Sequence, residues 1–179
     1  MFSRTRTSAI AILAVIALAL PARAARLPHL IDQNGRAFTF ASLRGTPLVV
    51  TFIAAHCTDA CPLINAQFAQ ASQHLTRAHA RVHLLTITLD PEHDSVRDMQ
   101  QIARRFDADS RMWTLAAGRR ADVHAVMSAF GVVAQRGRNG YADVHTTFIY
   151  FIDATGKLRK TMLASTALSD QIVANVASK

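Results

Sequence analysis

Cys57 and Cys61 are the two cysteines of a 179-residue chain, and they stand four positions apart. They lie in the run His56-Cys57-Thr58-Asp59-Ala60-Cys61-Pro62. Proline is tolerated in the first turn of a helix, so Pro62 marks a helix start. Thiols at such a start meet the positive end of the helix dipole and its free N–H groups. Both lower a thiol pKa and favour thiolate. Residues four apart on a helix share a face. Two sulfurs placed this way can turn toward one metal ion. They can also close a disulfide if their Cα atoms lie within ~4.4–6.8 Å. The run therefore supports metal binding or thiol–disulfide exchange. A plain stapling disulfide is a third use, but so small a loop gains little from closure.

Two thiolates make an incomplete metal site, and eight histidines are available for a third donor. His29 lies in the N-terminal lead-in. His74, His79 and His93 fall on helix surfaces or loops, and His124 on a helix face. His83 sits within a strand, as a core histidine does. His56 adjoins Cys57, but successive strand residues point to opposite faces. His145 differs, because it directly precedes a strand expected beside the cysteine loop. The residues alone leave its role open between structural histidine and ligand.

The elements that would position these groups alternate. Residues 48–53 are a continuous apolar, β-branched run, as in a buried strand, and residues 82–89 (VHLLTITL) read as a second buried strand. Residues 62–80 carry Leu63, Ala66, Phe68, Ala71 and Leu75 at helical spacing. Asp94 or Ser95 can cap a helix running to about Phe106. Residues 112–115 are strand-like, and residues 121–130 form a helix stopped by Gly131. Residues 146–153 and 157–163 flank Ala154-Thr155-Gly156 as a hairpin. An amphipathic helix closes the chain over 168–177. This order predicts an α/β layer fold, with helices on both faces of a central sheet. Asp90 and Asp94 can order the loop facing the cysteines. Equally, they can be a turn residue and a helix cap.

Hydrophobic residues make up 50% of the chain and charged residues 18%, enough apolar material for one packed domain. Residues 1–24 read as a secretory leader, with Arg4 and Arg6 before an unbroken apolar run and Ala22-Arg23-Ala24 as a cleavage site. Its twelve apolar residues span roughly 18 Å, short of the ~30 Å hydrocarbon core. An uncleaved membrane anchor is the alternative. Residues 25–179 then form the exported domain. The net charge of +8 falls on removal of the leader but stays positive. Lys/Arg runs interleaved with aromatics are missing, which argues against nucleic acid. Outside the cytoplasm two thiols meet oxidants, so their redox state must be managed.

Several pieces occur in a telling order: Phe40-Ala41-Ser42-Leu43-Arg44-Gly45, His56-Cys57-x-Asp59-x-Cys61-Pro62, Leu89-Asp90-Pro91-Glu92-His93-Asp94, Trp113, Phe130-Gly131-Val132, and Tyr141-x-Asp143-Val144-His145. Over about residues 36–163 this set resembles the SCO/SenC family of thioredoxin-like copper proteins. The resemblance implies a thioredoxin-like fold with a central mixed sheet. It implies copper, as Cu(I) or Cu(II), held by Cys57, Cys61 and His145. It also implies work in assembling a respiratory oxidase, at the dinuclear copper centre of cytochrome c oxidase. A periplasmic monomer with a protein partner, itself in some cases at the membrane, is the matching expectation. Two positions depart from the pattern. Thr58 stands where the family has Pro, and Val144 where it has Asp directly before the His, with Asp143 one position earlier.

The chemistry agrees with copper, since soft thiolates select Cu(I) and imidazole is acceptable to it. Structural zinc is the rival metal, but it takes four protein ligands where three are counted here. The rival function is a thiol–disulfide reductase with Cys57 and Cys61 as its redox pair. The spacing is CxxxC rather than CxxC. His145 also stands where such redox proteins carry a cis-proline, and no general base is evident within the motif. A peroxidase of the peroxiredoxin kind would have Thr three residues before the cysteine, where this chain has Ala54.

Overall fold

The structure, a computed structural model, describes residues 27–177 apart from Asp59, Asn139 and Thr146; for Asp143, Val144 and His145 it describes the backbone alone. The leader expected at residues 1–24 lies outside the described residues.

A short ribbon opens the fold: β1 (Leu30–Asp32) and β2 (Ala37–Phe38). The Asp32 carboxylate accepts hydrogen bonds from the Asn34 and Arg36 amides, both at 2.8 Å, and so builds the turn between them. A single 3-10 turn follows at Phe40–Leu43, capped by Thr39. Then come β3 (Leu48–Ile53), α1 (Ala60–Arg77), β4 (His83–Thr88), α2 (Val96–Arg105), β5 (Trp113–Gly118) and α3 (Arg120–Phe130). The chain continues through β6 (Ala134–Arg136), β7 (Ala142–His145), β8 (Phe148–Ile152), β9 (Leu158–Leu163) and α4 (Leu168–Ala177).

Seven strands form one mixed sheet in the order β2-β1-β5-β4-β3-β8-β9, and β6 and β7 form a separate hairpin. β3, β4 and β5 run parallel. β8 lies antiparallel beside β3, with Leu48 opposite Ile152 and Thr51 opposite Ile149. Successive side chains on β3 divide between two cores, as the pleat requires. Val49 and Ile53 pack with Phe68 and Leu75 of α1, Met99 of α2 and Ile172 of α4. Leu48, Val50 and Phe52 pack on the other face, with Val123, Val126 and Met127 of α3. The expected α/β fold with helices on both faces of a central mixed sheet is therefore the observed one. Connections that step in one direction with one hand stay on one face. This places α1 and α2 together, and α3, which returns the chain past β3, opposite them.

The elements expected over 48–53 and 168–177 have the observed bounds, and Gly131 ends α3 with φ +67° as the left-handed cap. Three differences have physical causes. α1 begins at Ala60, so Cys61 and Pro62 both lie in its first turn. β5 extends to Gly118 because β1 pairs with it, Leu30 opposite Gly118. The β1–β2 ribbon and the β6–β7 hairpin were not expected, since neither has an apolar period.

Candidate metal and thiol site

The carboxyl end of β3 delivers the cysteine loop. In open α/β sheets, a crevice forms at such an end where connections diverge to opposite sides. The Cys57 amide donates to the Ala54 carbonyl at 3.2 Å, which turns the chain out of the strand. Helix α1 then brings Cys61 back under it. Residues 61, 64, 65, 68, 71, 72 and 75 are the buried face of this helix. That helical repeat fixes Cys61 inward, 2% exposed, while Cys57 above it is half-buried. The two side chains hydrogen-bond to each other, and no disulfide joins them.

Burial pushes the Cys61 thiol well above its usual pKa. The hydrogen bond to Cys57 and the nearby Asp94 charge act the same way, against a backbone hydrogen bond from Ala54 that lowers it. The sequence had suggested that the helix start would favour thiolate. For Cys61 that expectation is corrected: removal from water outweighs the dipole of one helix end.

Two carboxylates organise the surroundings. Ser95 caps α2, accepting from the Asp98 amide. That leaves Asp94 for another task. Its side chain is fully buried. One oxygen accepts from the Ala55 amide at 2.9 Å and from the Thr88 hydroxyl at 2.6 Å. Its other oxygen has no hydrogen-bond partner, and His56 Nε2 stands 3.9 Å from it. Burial raises the Asp94 pKa, against the opposing effect of the Thr88 and Ala55 hydrogen bonds. Asp94 thus ties the base of the cysteine loop to the end of β4.

Asp90 faces the other way. Its Oδ2 accepts from the Ala142 amide at 3.0 Å and lies 2.9 Å from His93 Nδ1. Its Oδ1 lies 3.4 Å from Arg136 Nη1. The segment it holds is the β6–β7 hairpin. His145 is the last residue of β7, with its backbone opposite Ala134. Tilted ring contacts make the third tie: Tyr141 lies 4.7 Å from the His56 ring and 4.5 Å from the His93 ring, centroid to centroid. The cysteine loop, the 88–94 loop and the hairpin are therefore one unit. The sequence carried Tyr141 only as a member of a motif order and left Asp90 open between ordering the loop and making a turn, and nothing in it pointed to Arg136.

Cys57 and Cys61 are brought together as expected, and His145 lies on the adjoining hairpin. Among the described residues no group of three or more His, Cys, Asp or Glu side chains is placed to hold a metal ion; the His145 ring is not among the described side chains. The other histidines have separate roles. His83 is half-buried, hydrogen-bonded to Thr114 at 2.8 Å, and burial lowers its pKa. His124 pairs with Glu92 at 2.9 Å.

A thioredoxin-like sheet with paired thiols at the start of α1 defines the class of protein. The SCO1/SenC family model matches residues 24–179, and the chain belongs to that family. An SCO2-like protein of Rickettsia typhi is 28% identical over 138 residues, covering 74% of this chain and 66% of its own length. ScoI of Bradyrhizobium japonicum, solved with copper bound, is 25% identical with a TM-score of 0.70, over 83% of this chain and 96% of that one. BsSco, a member of the Sco family of cytochrome c oxidase assembly proteins with an identified disulfide switch, is 20% identical with a TM-score of 0.71, over 84% and 89%.

Proposed function

We propose that this chain is a copper metallochaperone of the exported, periplasmic compartment. It delivers or prepares copper for the dinuclear copper centre of cytochrome c oxidase. Cys57 and Cys61 are its two sulfur ligands, and His145 is the third. The observation that carries this reading is the contact between the two thiols at the end of the central strand. A pair of soft donors so close together suits Cu(I). Each thiol exchanges its proton for the metal on loading. The copper-bound Bradyrhizobium relative and the oxidase-assembly description of BsSco support the cargo and its destination. Half-exposed Cys57 leaves one sulfur open to an incoming acceptor ligand, as transfer by ligand exchange needs. Among the described residues no helix is long and apolar enough to cross a membrane. Export by the leader at residues 1–24, with or without its cleavage, is part of the proposal.

A second reading, thiol–disulfide exchange on exported proteins or on the oxidase copper-site cysteines, draws on one observation. The Asp94 carboxylate is fully buried and bound to the Ala55 amide at the base of the cysteine loop, where it can serve as a proton acceptor. Copper binding and disulfide formation compete for the same two sulfurs. An anaerobic Cu(I) titration of the reduced protein, paired with an insulin-reduction assay, separates the two readings. The chaperone reading predicts stoichiometric binding with negligible reductase turnover, and the reverse pattern would select the enzyme.

A further inference from the structure

The β6–β7 hairpin packs Ala142 and, in part, Ala134 against the core beneath α3, and polar contacts hold the rest. Among the described residues of 133–142, only Ala142 is buried. A register shift interrupts the ribbon between Gln135 and Arg136, and the Arg136 side chain there is a hub of contacts. Its Nη1 donates to the Gly140 carbonyl at 2.7 Å, inside the hairpin. The same nitrogen lies 3.4 Å from Asp90 Oδ1, and Nη2 lies 2.9 Å from Glu92 Oε2. The Asp90 carboxylate, 1% exposed, meets the hairpin a second time through the Ala142 amide at 3.0 Å. Glu92 also pairs with His124 at 2.9 Å and Arg120 at 3.4 Å, which fixes the clamp to α3.

From this geometry we infer that Arg136 and Asp90 are positioning residues for the third copper ligand. They fasten the strand that ends in His145 to the loop whose Asp94 fastens the cysteines. The inference rests on the copper reading for the role of His145. The clamp itself belongs to the metal-free chain. Its physical basis is the planar guanidinium, which serves three acceptors at once in a way an ammonium cannot. Without Arg136, the buried Asp90 carboxylate keeps His93 and the Ala142 amide beside it but loses its guanidinium, and a buried carboxylate stripped of a cation is costly to keep. The hairpin then releases, and the site falls from three donors to two thiols.

The test uses Arg136→Ala and Arg136→Lys in the reduced protein. In the metal-free state, hydrogen exchange at the Ala142 amide should quicken about tenfold or more in Arg136→Ala, with the amides of β3 and α1 unchanged. Arg136→Lys should fall between that variant and the parent. On copper loading, Arg136→Ala should lower affinity about 10–100-fold, the cost of losing an outer-shell partner. It should also shift the Cu(II) spectrum toward that of His145→Ala. In a His145→Ala background the same substitution should have no further effect on affinity, because its only route to the metal is gone. Parent-like exchange at Ala142, or an equal loss of affinity in both backgrounds, would overturn the inference. If His145→Ala itself leaves affinity and spectrum unchanged, the third-ligand reading fails and this inference with it, whereas the exchange measurement still reports on the clamp.

Discussion

Asp94 and Ala55 are joined across 39 positions of chain by a hydrogen bond of 2.9 Å, from the Ala55 amide to the Asp94 carboxylate. Four residues earlier, Asp90 reaches Ala142 across 52 positions at 3.0 Å. One short loop thus holds the two segments that carry the proposed ligands, each by a carboxylate on a backbone N–H.

Replacing His145 by Ala should leave Cu(I) stoichiometry intact, because both sulfurs remain. Affinity should drop by at least the roughly 10–100-fold that loss of a lesser, outer-shell partner costs. The Cu(II) spectrum should change, since a nitrogen donor is lost. Parallel titration and absorption spectra of parent and variant check this. Identical spectra would remove His145 from the site.

The raised pKa of Asp94 has a definite sign in stability. The folded state holds its proton more tightly than the unfolded chain does. Stability from this group is therefore present at acid pH and lost as pH rises from about 4 through the folded pKa. Asp94→Asn keeps an oxygen for the Ala55 amide and removes the titration. Thermal melts of the metal-free protein from about pH 4 to 7 should show a flatter dependence in the variant. Equal slopes in the two proteins would contradict this assignment.

Asp98 has the opposite sign. It is partly buried, which alone raises its pKa, but its hydrogen bonds with the Ser95 side chain and amide lower it overall. Its contribution is present above the unfolded value and lost as pH falls through the lower folded value. Ser95→Ala removes the cap, so it should cost about 1 kcal/mol at neutral pH. It should also weaken acid sensitivity below about pH 4. Denaturant melts at both pH values measure each effect.

The sheet core was legible because its strands announce themselves. Residues 48–53 are an apolar, β-branched run and residues 82–89 read as a second buried strand, observed as β3 and as β4 over His83–Thr88, and the α1 stripe repeats at helical spacing. The pieces that escaped are those made by distant partners. β6 and β7 have no apolar period, and Asp90 and Arg136 add to the little core contact that Ala142 and Ala134 make. β1 and β2 are three and two residues long, below the length at which alternation can be read. The site divides the same way. Cys57 and Cys61 stood out by spacing, and Asp94 was visible but undecided between cap and loop tie. The structure decides it by giving the cap to Ser95. The state of Cys61 could not be read locally, because a helix start argues for thiolate while the opposing effect is burial by β3 and α1 together.

The central claim is that the two sulfurs form the copper site, and titration of the reduced protein with Cu(I) under anaerobic conditions tests it most directly. Cys57→Ser and Cys61→Ser should each abolish tight binding, while the parent binds stoichiometrically. Unchanged stoichiometry and affinity in both variants would contradict the account.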